Sequence, residues 1–551
     1  MPIQTIKTEK ESKMRLKTML SLFVICGLAS PLPAQPADTQ IESVPDYENW
    51  GWTAIVQHNG LITIATVPVI GARMMQYRLG EHESIYRNPN TLGETHTPQN
   101  NNQWYNYGGF KNWPAPQSVW NWTPPPLLDY GEYDSEIRVD SPDSTMLFVR
   151  SPVEQWKAPD IRFERKSTLY KGSSRVRMDQ TIINEGSSQQ SWGVWDITQQ
   201  IVHHPSDDDF ENFWVYFPLN PESAFGDDGI YWGSSWGEPS TIQFGEVAPG
   251  IFGMQYGTEE CKVFGDAPEG WICFADEGEG AIFAKTFEVF DDAVYPDNGG
   301  IVQVYFSGGG SNAWNMATAY MEVEVTGPIV DLAPNGGRYT LTENFFAAKV
   351  HGPILKVTDV GAVARALDFD DRTGNVVGRY GVFYEGTAQT LVLGTDDSVL
   401  EEGIVHAVTP LETFSLNEQI AIPEIVGARV TIEIRDDQGD FIGMLDEATV
   451  DQMSAVEAGP SAEPRRIDLV RNYPNPFNGR TTITFRLERN QSLRISVYDI
   501  RGRRQAVPAS REFEAGAHSV HWDASGLPGG VYFARIEGQG IRKTVKMLLM
   551  P

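Results

Sequence analysis

The sequence predicts an all-β chain built as three folded units, and three observations predict it. Gly 52 and Pro 35 among 551 residues supply many turn formers. Short runs of alternating apolar and polar residues recur along the chain, as strands with one buried face require. No stretch combines helical apolar spacing with end-capping signals. At roughly 150 residues per domain the length suits about three domains. A hydrophobic fraction of 41%, with aromatics at 11%, is enough to build real cores.

The net charge of −30 argues against nucleic acid and against an anionic membrane surface as partners. The charge is uneven. Residues 465–551 carry 15 basic and 7 acidic side chains, which marks the C-terminal block as a separate unit. The N-terminus has the form of an export signal over residues 1–34. Met14-Arg15-Leu16-Lys17 gives a positive start, and Met19 to Leu28 an apolar run too short to span a bilayer. Cleavage is expected after Ala34, with Ala29 as the alternative. Ile25 before Cys26 is too large for a lipoprotein signal, and no later segment reads as a transmembrane helix.

Taken in order, residues 42–350 form one large β-sandwich unit. Leu61 to Val67 reads as a strand that turns at Pro68 to Gly71. Arg162 to Tyr170 and Arg175 to Ile183 alternate across Lys171-Gly172 as an antiparallel hairpin. Trp192 to Ile201 is a further strand that ends near His203-His204, and Ile301 to Phe306 and Ala319 to Val325 are late strands. Residues 351–450 form a small β domain, with strand runs at Gly381 to Tyr384, Thr390 to Leu393 and Val430 to Ile434. A polar linker follows at 451–466. The last unit, 467–551, has short evenly spaced strands that predict a seven-strand-like, immunoglobulin-type sandwich.

One stretch stands apart. Between Asn100 and Trp122 lie Trp104, Tyr105, Tyr107, Phe110, Trp113, Trp120 and Trp122, set among amides with Lys111 and Gln117. It shows neither a helical nor a strand period, and Gly108-Gly109, Pro114 and Pro116 predict an irregular ordered loop. Flat rings beside fork-shaped amides match the CH faces and hydroxyls of a sugar. The substrate-binding set expected on this ground is Arg73, Trp104, Tyr107, Lys111, Trp113, Gln117, Trp120 and Trp122. The alternative is that the rings plug one end of the sandwich.

Two resemblances sharpen these readings. Tyr473-Pro-Asn-Pro-Phe-Asn478, Val497-Tyr-Asp-Ile-Arg-Gly502, His521-Trp-Asp-Ala524, Gly530-Val-Tyr-Phe533 and Arg542-Lys-Thr-Val-Lys546 resemble the C-terminal sorting domains of type IX secretion cargo. That resemblance implies passage across an outer membrane to the cell surface or medium, in contact with the type IX machinery. In the large unit, Gly71-Ala-Arg73, Tyr107-Gly-Gly-Phe-Lys111, Ala115-Pro-Gln117, Trp195-Asp-Ile-Thr198, Glu322-Val-Glu324 and Leu332-Ala-Pro334 resemble an uncharacterised family. The fold of that family is similar to galactose mutarotase, which implies a large mutarotase-like supersandwich. Mutarotation needs a base and an acid on opposite sides of one sugar. The resemblance implies Glu324 or Glu322, which share a strand face, as the base, and His203 or His204 as the acid. An earlier active-site His has no counterpart in the Trp-rich stretch. Three functions follow as expectations: a saccharide-binding surface protein, a sugar-active enzyme (epimerase, lyase or hydrolase), and a structural surface protein.

Other signals carry less. Gly233-Ser-Ser235-Trp-Gly237 lacks the strand-turn-helix setting of a nucleophile elbow. Asp368-Phe-Asp370 opens like a calcium loop, but Arg372 and Thr373 fill positions where a ligand and Gly belong. Asp207-Asp-Asp209 and Asp227-Asp228 could bind Ca²⁺ in a loop but read more readily as solvated acidic turns, so no cofactor is expected. After export, Cys261 and Cys273 remain, as one disulfide or as two buried thiols. Mass spectrometry of the secreted protein checks the export reading. The mature chain is expected to begin near Gln35 and, in a type IX-competent host, to lose the segment after about Arg466; an intact C-terminus counts against sorting.

Overall fold

The computed structural model describes residues 35–550 apart from 204–211, 227, 236, 258, 308–317, 371–372, 422–425, 451–466 and short gaps (474, 476, 488–490, 500–502, 514–515 and 539–540) in the last unit. The chain divides into two compact units, Met1–Met453 and Ser454–Pro551.

Nine strands of the first unit carry the site. They are β1 (Arg73–Leu79), β2 (Phe110–Ala115), β3 (Val176–Asn184), β4 (Gln190–Ile201), β5 (Cys261–Gly265), β6 (Ala281–Phe287), β7 (Val302–Ser307), β8 (Tyr320–Thr326) and β9 (Gly337–Lys349). A 12-stranded antiparallel sheet contains the order β1-β2-β4-β8-β7-β5, and a 10-stranded sheet contains β6-β9-β3. The expected hairpin across Lys171-Gly172 forms, with Val176 opposite Leu169. Strand parity sorts the residues. Met321, Val323, Val325, Val304 and Val263 point from the first sheet into a core shared with Phe283, Phe345 and Met178 of the second. Their neighbours on β8, Glu322 and Glu324, therefore point to the opposite face.

That opposite face is also covered. Trp113, Trp195 and Ile197 on it are all buried. Burial on both faces explains where the Trp-rich stretch departs from expectation. Residues Phe110–Ala115 are not loop; they form β2, a central strand between β1 and β4. A strand buried on both sides loses the apolar–polar alternation that would reveal it, and Pro114 argues against a central strand. Only the flanking residues keep irregular backbone, including the short turn Gln117–Val119.

The small domain is two four-stranded sheets around Val376, Tyr380, Val430 and Ile432. Phe383 stacks on Phe346 of β9 at 4.3 Å and joins a core with Trp271 and Ile354, so this sandwich seals the outer side of the second sheet. The unit from Ser454 on is a sandwich with three- and four-stranded sheets among the described residues, closed over Phe485, Ile495, Trp522 and Ile536.

A disulfide between Cys261 and Cys273 does not form; both are free and buried. Cys261 lies in the 12-stranded sheet and Cys273, within Trp271–Asp276, in the 10-stranded one. Burial pushes the Cys261 thiol up to about 12 and lifts the Cys273 thiol well above its ordinary value. Neither thiol offers an appreciable thiolate at neutral pH. Alkylation of the mature native protein should therefore label neither cysteine, and denaturation without reductant should expose two labelling sites.

Candidate functional site

The register of the first sheet collects one polar face. Lys111 lies opposite Ile197, and Trp113 opposite Trp195. Ile197 and Gln199 lie opposite Glu324 and Glu322. Beyond them Gln303 and Tyr305 flank the same glutamates, and Lys262 lies opposite Tyr305. Directly opposed residues in a sheet share a face, so these side chains form one patch across β2, β4, β8, β7 and β5.

Two lysines divide the carboxylates between them. Lys111 Nζ donates to Glu322 Oε1 at 3.1 Å, and Gln199 Nε2 donates to the same oxygen at 2.8 Å. Lys262 Nζ spans both oxygens of Glu324 at 3.0 and 3.1 Å, and the Trp195 indole N–H donates to Oε2 at 2.7 Å. Each ammonium also sits over a ring, Lys111 at 5.0 Å from Trp113 and Lys262 at 4.7 Å from Trp195. The two indoles meet edge to face at 5.3 Å.

The glutamates sit in opposite protonation regimes. Burial alone would raise Glu322, but Lys111, then Lys262 and the Gln199 amide hold it below the usual carboxylate range. Burial dominates at Glu324 and lifts it to about 7; Lys262 opposes that rise and the Glu322 charge adds to it. Burial also lowers the Lys111 ammonium, with Glu322 resisting. Two neighbouring carboxyls with separated pKa values are the pattern of a divided acid–base pair. Glu322 reaches solvent at 8% exposure, whereas Glu324 is fully enclosed.

The expected ligand-binding residues separate into two groups. Arg73 is buried; its guanidinium donates to Asp129 Oδ1 at 2.6 Å and to the Gly108 carbonyl at 3.0 Å. Trp113 donates to the same Asp129 oxygen at 2.8 Å. Trp120 donates to the Pro114 carbonyl at 2.7 Å and packs on Trp113. Tyr107 bonds His96 Nδ1 through its hydroxyl at 2.7 Å. Arg73, Tyr107, Trp113 and Trp120 are thus packed and bonded within the protein, although Arg73 Nε has no partner among the described residues, and an open cleft lined by them is corrected to a buried aromatic wall. Lys111 belongs to the carboxylate patch.

Trp122 differs, with 53% exposure; it packs on Trp104 at 5.1 Å and Trp113 at 6.1 Å. Trp104 is half-buried, its indole N–H enclosed without a partner among the described residues. Gln117 is half-buried nearby in sequence. The open part of the aromatic stretch is therefore Trp122 on Trp104, linked through Trp113 and Trp195 to Glu324. His203 is half-buried two residues past β4, its Nδ1 without a partner among the described residues; His204 lies outside them. Asp196 is not available to orient a histidine, because it points between the sheets to Lys285. Lys262, Gln199 and Asp129 went unread as site residues. A lone Lys inside the apolar run Cys261-Lys-Val-Phe was the available signal for the first. No group of three or more His, Cys, Asp or Glu among the described residues is placed to hold a metal ion.

Comparison with known proteins adds two findings. Residues 471–550 match the family model of the secretion system C-terminal sorting domain. No curated protein matches the chain. Among solved structures, a galactose mutarotase-like protein from Clostridium acetobutylicum is similar at 9% identity, with 57% of this chain and 99% of that one covered and a TM-score of 0.35. A galactose mutarotase-like protein from Lactobacillus casei gives 11% identity, 53% and 99% coverage and a TM-score of 0.36. A TPR-domain containing protein from Parabacteroides distasonis gives 12% identity and a TM-score of 0.36 over 56% of this chain; the match spans about half of that protein's length, 49%. These are likenesses of fold, and the chemistry has to be argued from side chains.

The lysine–glutamate pairing predicts a strong coupling. Lys111→Met should destabilise the protein by about 3–5 kcal/mol, because it strands an ionised carboxylate against the sheet. Lys111→Met combined with Glu322→Gln should recover most of that loss in chemical denaturation. A double-variant loss equal to the sum of the Lys111→Met and Glu322→Gln losses would show that the pair is not coupled.

Proposed function

We propose that this chain is type IX secretion cargo whose large domain engages a saccharide at the Glu322–Glu324 face. The match of residues 471–550 to the sorting-domain family supports the first part. No helix among the described residues is long and apolar enough to cross a membrane. The observation that carries the second part is the carboxyl pair itself. Two glutamates, clamped by Lys111 and Lys262, adjoin an aromatic wall that ends in the open ring of Trp122. Trp122 and Trp104 would take the apolar face of a sugar, and Glu322, the one carboxylate of the pair with any solvent exposure, would accept from its hydroxyls.

A second reading is favoured by Glu324 titrating at about 7. A carboxyl poised there exchanges a proton readily at physiological pH, as proton transfer at a sugar's anomeric centre requires. In that reading substrate binding uncovers Glu324, which is enclosed in the free protein, its ionised form takes the proton, and His203 is the acid on the far side of the ring. Glu324 must lose its own proton first, so turnover as a base rises with pH through about 7.

A glycan array probed with the mature chain tests binding. Trp122→Ala should weaken a positive glycan about fivefold, in line with roughly 1 kcal/mol per stacked ring, without changing the melting temperature. Glu324→Gln should keep binding and abolish anomer interconversion followed by polarimetry. No glycan bound and no interconversion would remove the saccharide reading and leave the aromatic wall as packing.

A further inference from the structure

Behind the carboxyl pair, on the inner face of the same strands, lies a second ionisable cluster. Asp196 of β4, Lys285 of β6 and Glu343 of β9 meet between the sheets, each without solvent exposure. Lys285 Nζ donates to Asp196 Oδ1 and, at 2.9 Å, to the Val323 carbonyl. Val323 stands between Glu322 and Glu324, and Asp196 stands between Trp195 and Ile197. The cluster therefore grips β8 and β4 at the points where their outward neighbours build the site.

Charge counting fixes the state of this cluster. It holds two carboxyls and one ammonium. Asp196 Oδ2 and both Glu343 oxygens lack a fully formed hydrogen bond among the described residues; the Gln180 amide, its Nε2 likewise unpartnered, acts on both, and the two carboxyls act on each other. Two ionised carboxylates cannot share such a place without one taking up a proton. A proton carried by Glu343 and donated to Asp196 resolves both defects. The surrounding elements offer little else that titrates. Gln180 of β3 acts on both carboxyls and accepts from Asn112 of β2. Arg165, on Ile161–Tyr170, acts on Asp196 from a guanidinium already bound to the Gly71 and Ala72 carbonyls. Tyr339 acts on Glu343 from its own strand, and Met178 and Phe287 lie opposite Glu343 on the flanking strands.

We propose that Asp196, Glu343 and Lys285 form a one-proton clamp between the sheets that positions the Glu322–Glu324 pair from behind. Glu343 is the neutral acid, Asp196 the charge that holds Lys285, and Lys285 the donor that fixes the backbone between the two glutamates. These are positioning residues and touch no ligand. Burial, then the Asp196 charge, push the Glu343 carboxyl well above the usual range, with Lys285 opposing. The sign follows from linkage. The folded state keeps this proton where the unfolded chain has already released it, so stability falls as pH rises from the ordinary carboxylate range toward the raised value. The clamp is firm in acid and loosens in alkali.

The test uses the mature chain and two variants. Glu343→Gln supplies a neutral donor at every pH; Glu343→Leu removes the donor. The infrared band of protonated carboxyl at neutral pH should be weaker in Glu343→Gln than in wild type. The wild-type melting temperature should fall between about pH 6 and pH 9, and Glu343→Gln should fall less, by ~2 °C or more. Equal bands, or equal slopes in the two proteins, would overturn the shared proton. The Glu324 carboxyl band, identified by its loss in Glu324→Gln, should titrate at its wild-type pH in Glu343→Gln and at a shifted pH in Glu343→Leu. Unshifted titration in a folded Glu343→Leu would overturn the positioning role. If that variant does not fold, a shifted titration in Glu343→Gln overturns it instead. None of these readings requires a saccharide.

Discussion

Lys285 reaches across the sandwich to Asp196 and the Val323 carbonyl, and much of the site depends on the constraint that this contact expresses. The central strands of the 12-stranded sheet are buried on both faces, so each charge on them must be neutralised within the protein. On the inner face this is done by the Asp196–Lys285–Glu343 cluster. On the outer face it is done by Lys111 with Glu322, Lys262 with Glu324 and Arg73 with Asp129. Buried pairs of this kind contribute little net stability over apolar packing, but breaking one leaves a charge stranded. What they contribute is a fixed position for each carboxyl.

The same constraint gives the aromatic stretch its role. Trp113 and Trp195 shield the ion pairs from water while supplying ring faces and N–H groups: each carries an ammonium over its ring, and each donates to a carboxylate. Low local dielectric then separates the two glutamates. Glu322 keeps its charge because an ammonium and an amide converge on it, and Glu324, more deeply enclosed, gives way. Packing and exposure fall to different residues of one stretch. Trp113 and Trp120 pack; Trp122 and the edge of Trp104 stay open.

The small sandwich covers the far side of the second sheet through Phe383 and Phe346. The basic C-terminal unit has its own core around Trp522 and Phe485, and its residues 471–550 match the sorting-domain family model.

By itself the sequence determined the all-β class, the turn-rich strand order, the separate C-terminal unit with its sorting motifs, and the shared face of Glu322 and Glu324. All of these are local: they depend on period-two alternation, turn residues or contiguous motifs. It left open which rings of the Trp-rich stretch were exposed, whether the two cysteines met, and what held each glutamate. Those were decided by which strands became neighbours. Placing Phe110–Ala115 between β1 and β4 buried Trp113 and brought Lys111 to Glu322, 211 residues away in sequence. Placing Cys261 and Cys273 in different sheets kept their thiols apart. Lys262, Asp196 and Glu343 look like ordinary strand residues in the sequence, because a partner's distance along the chain leaves no periodic trace; only the packing of the two sheets made them into charge pairs.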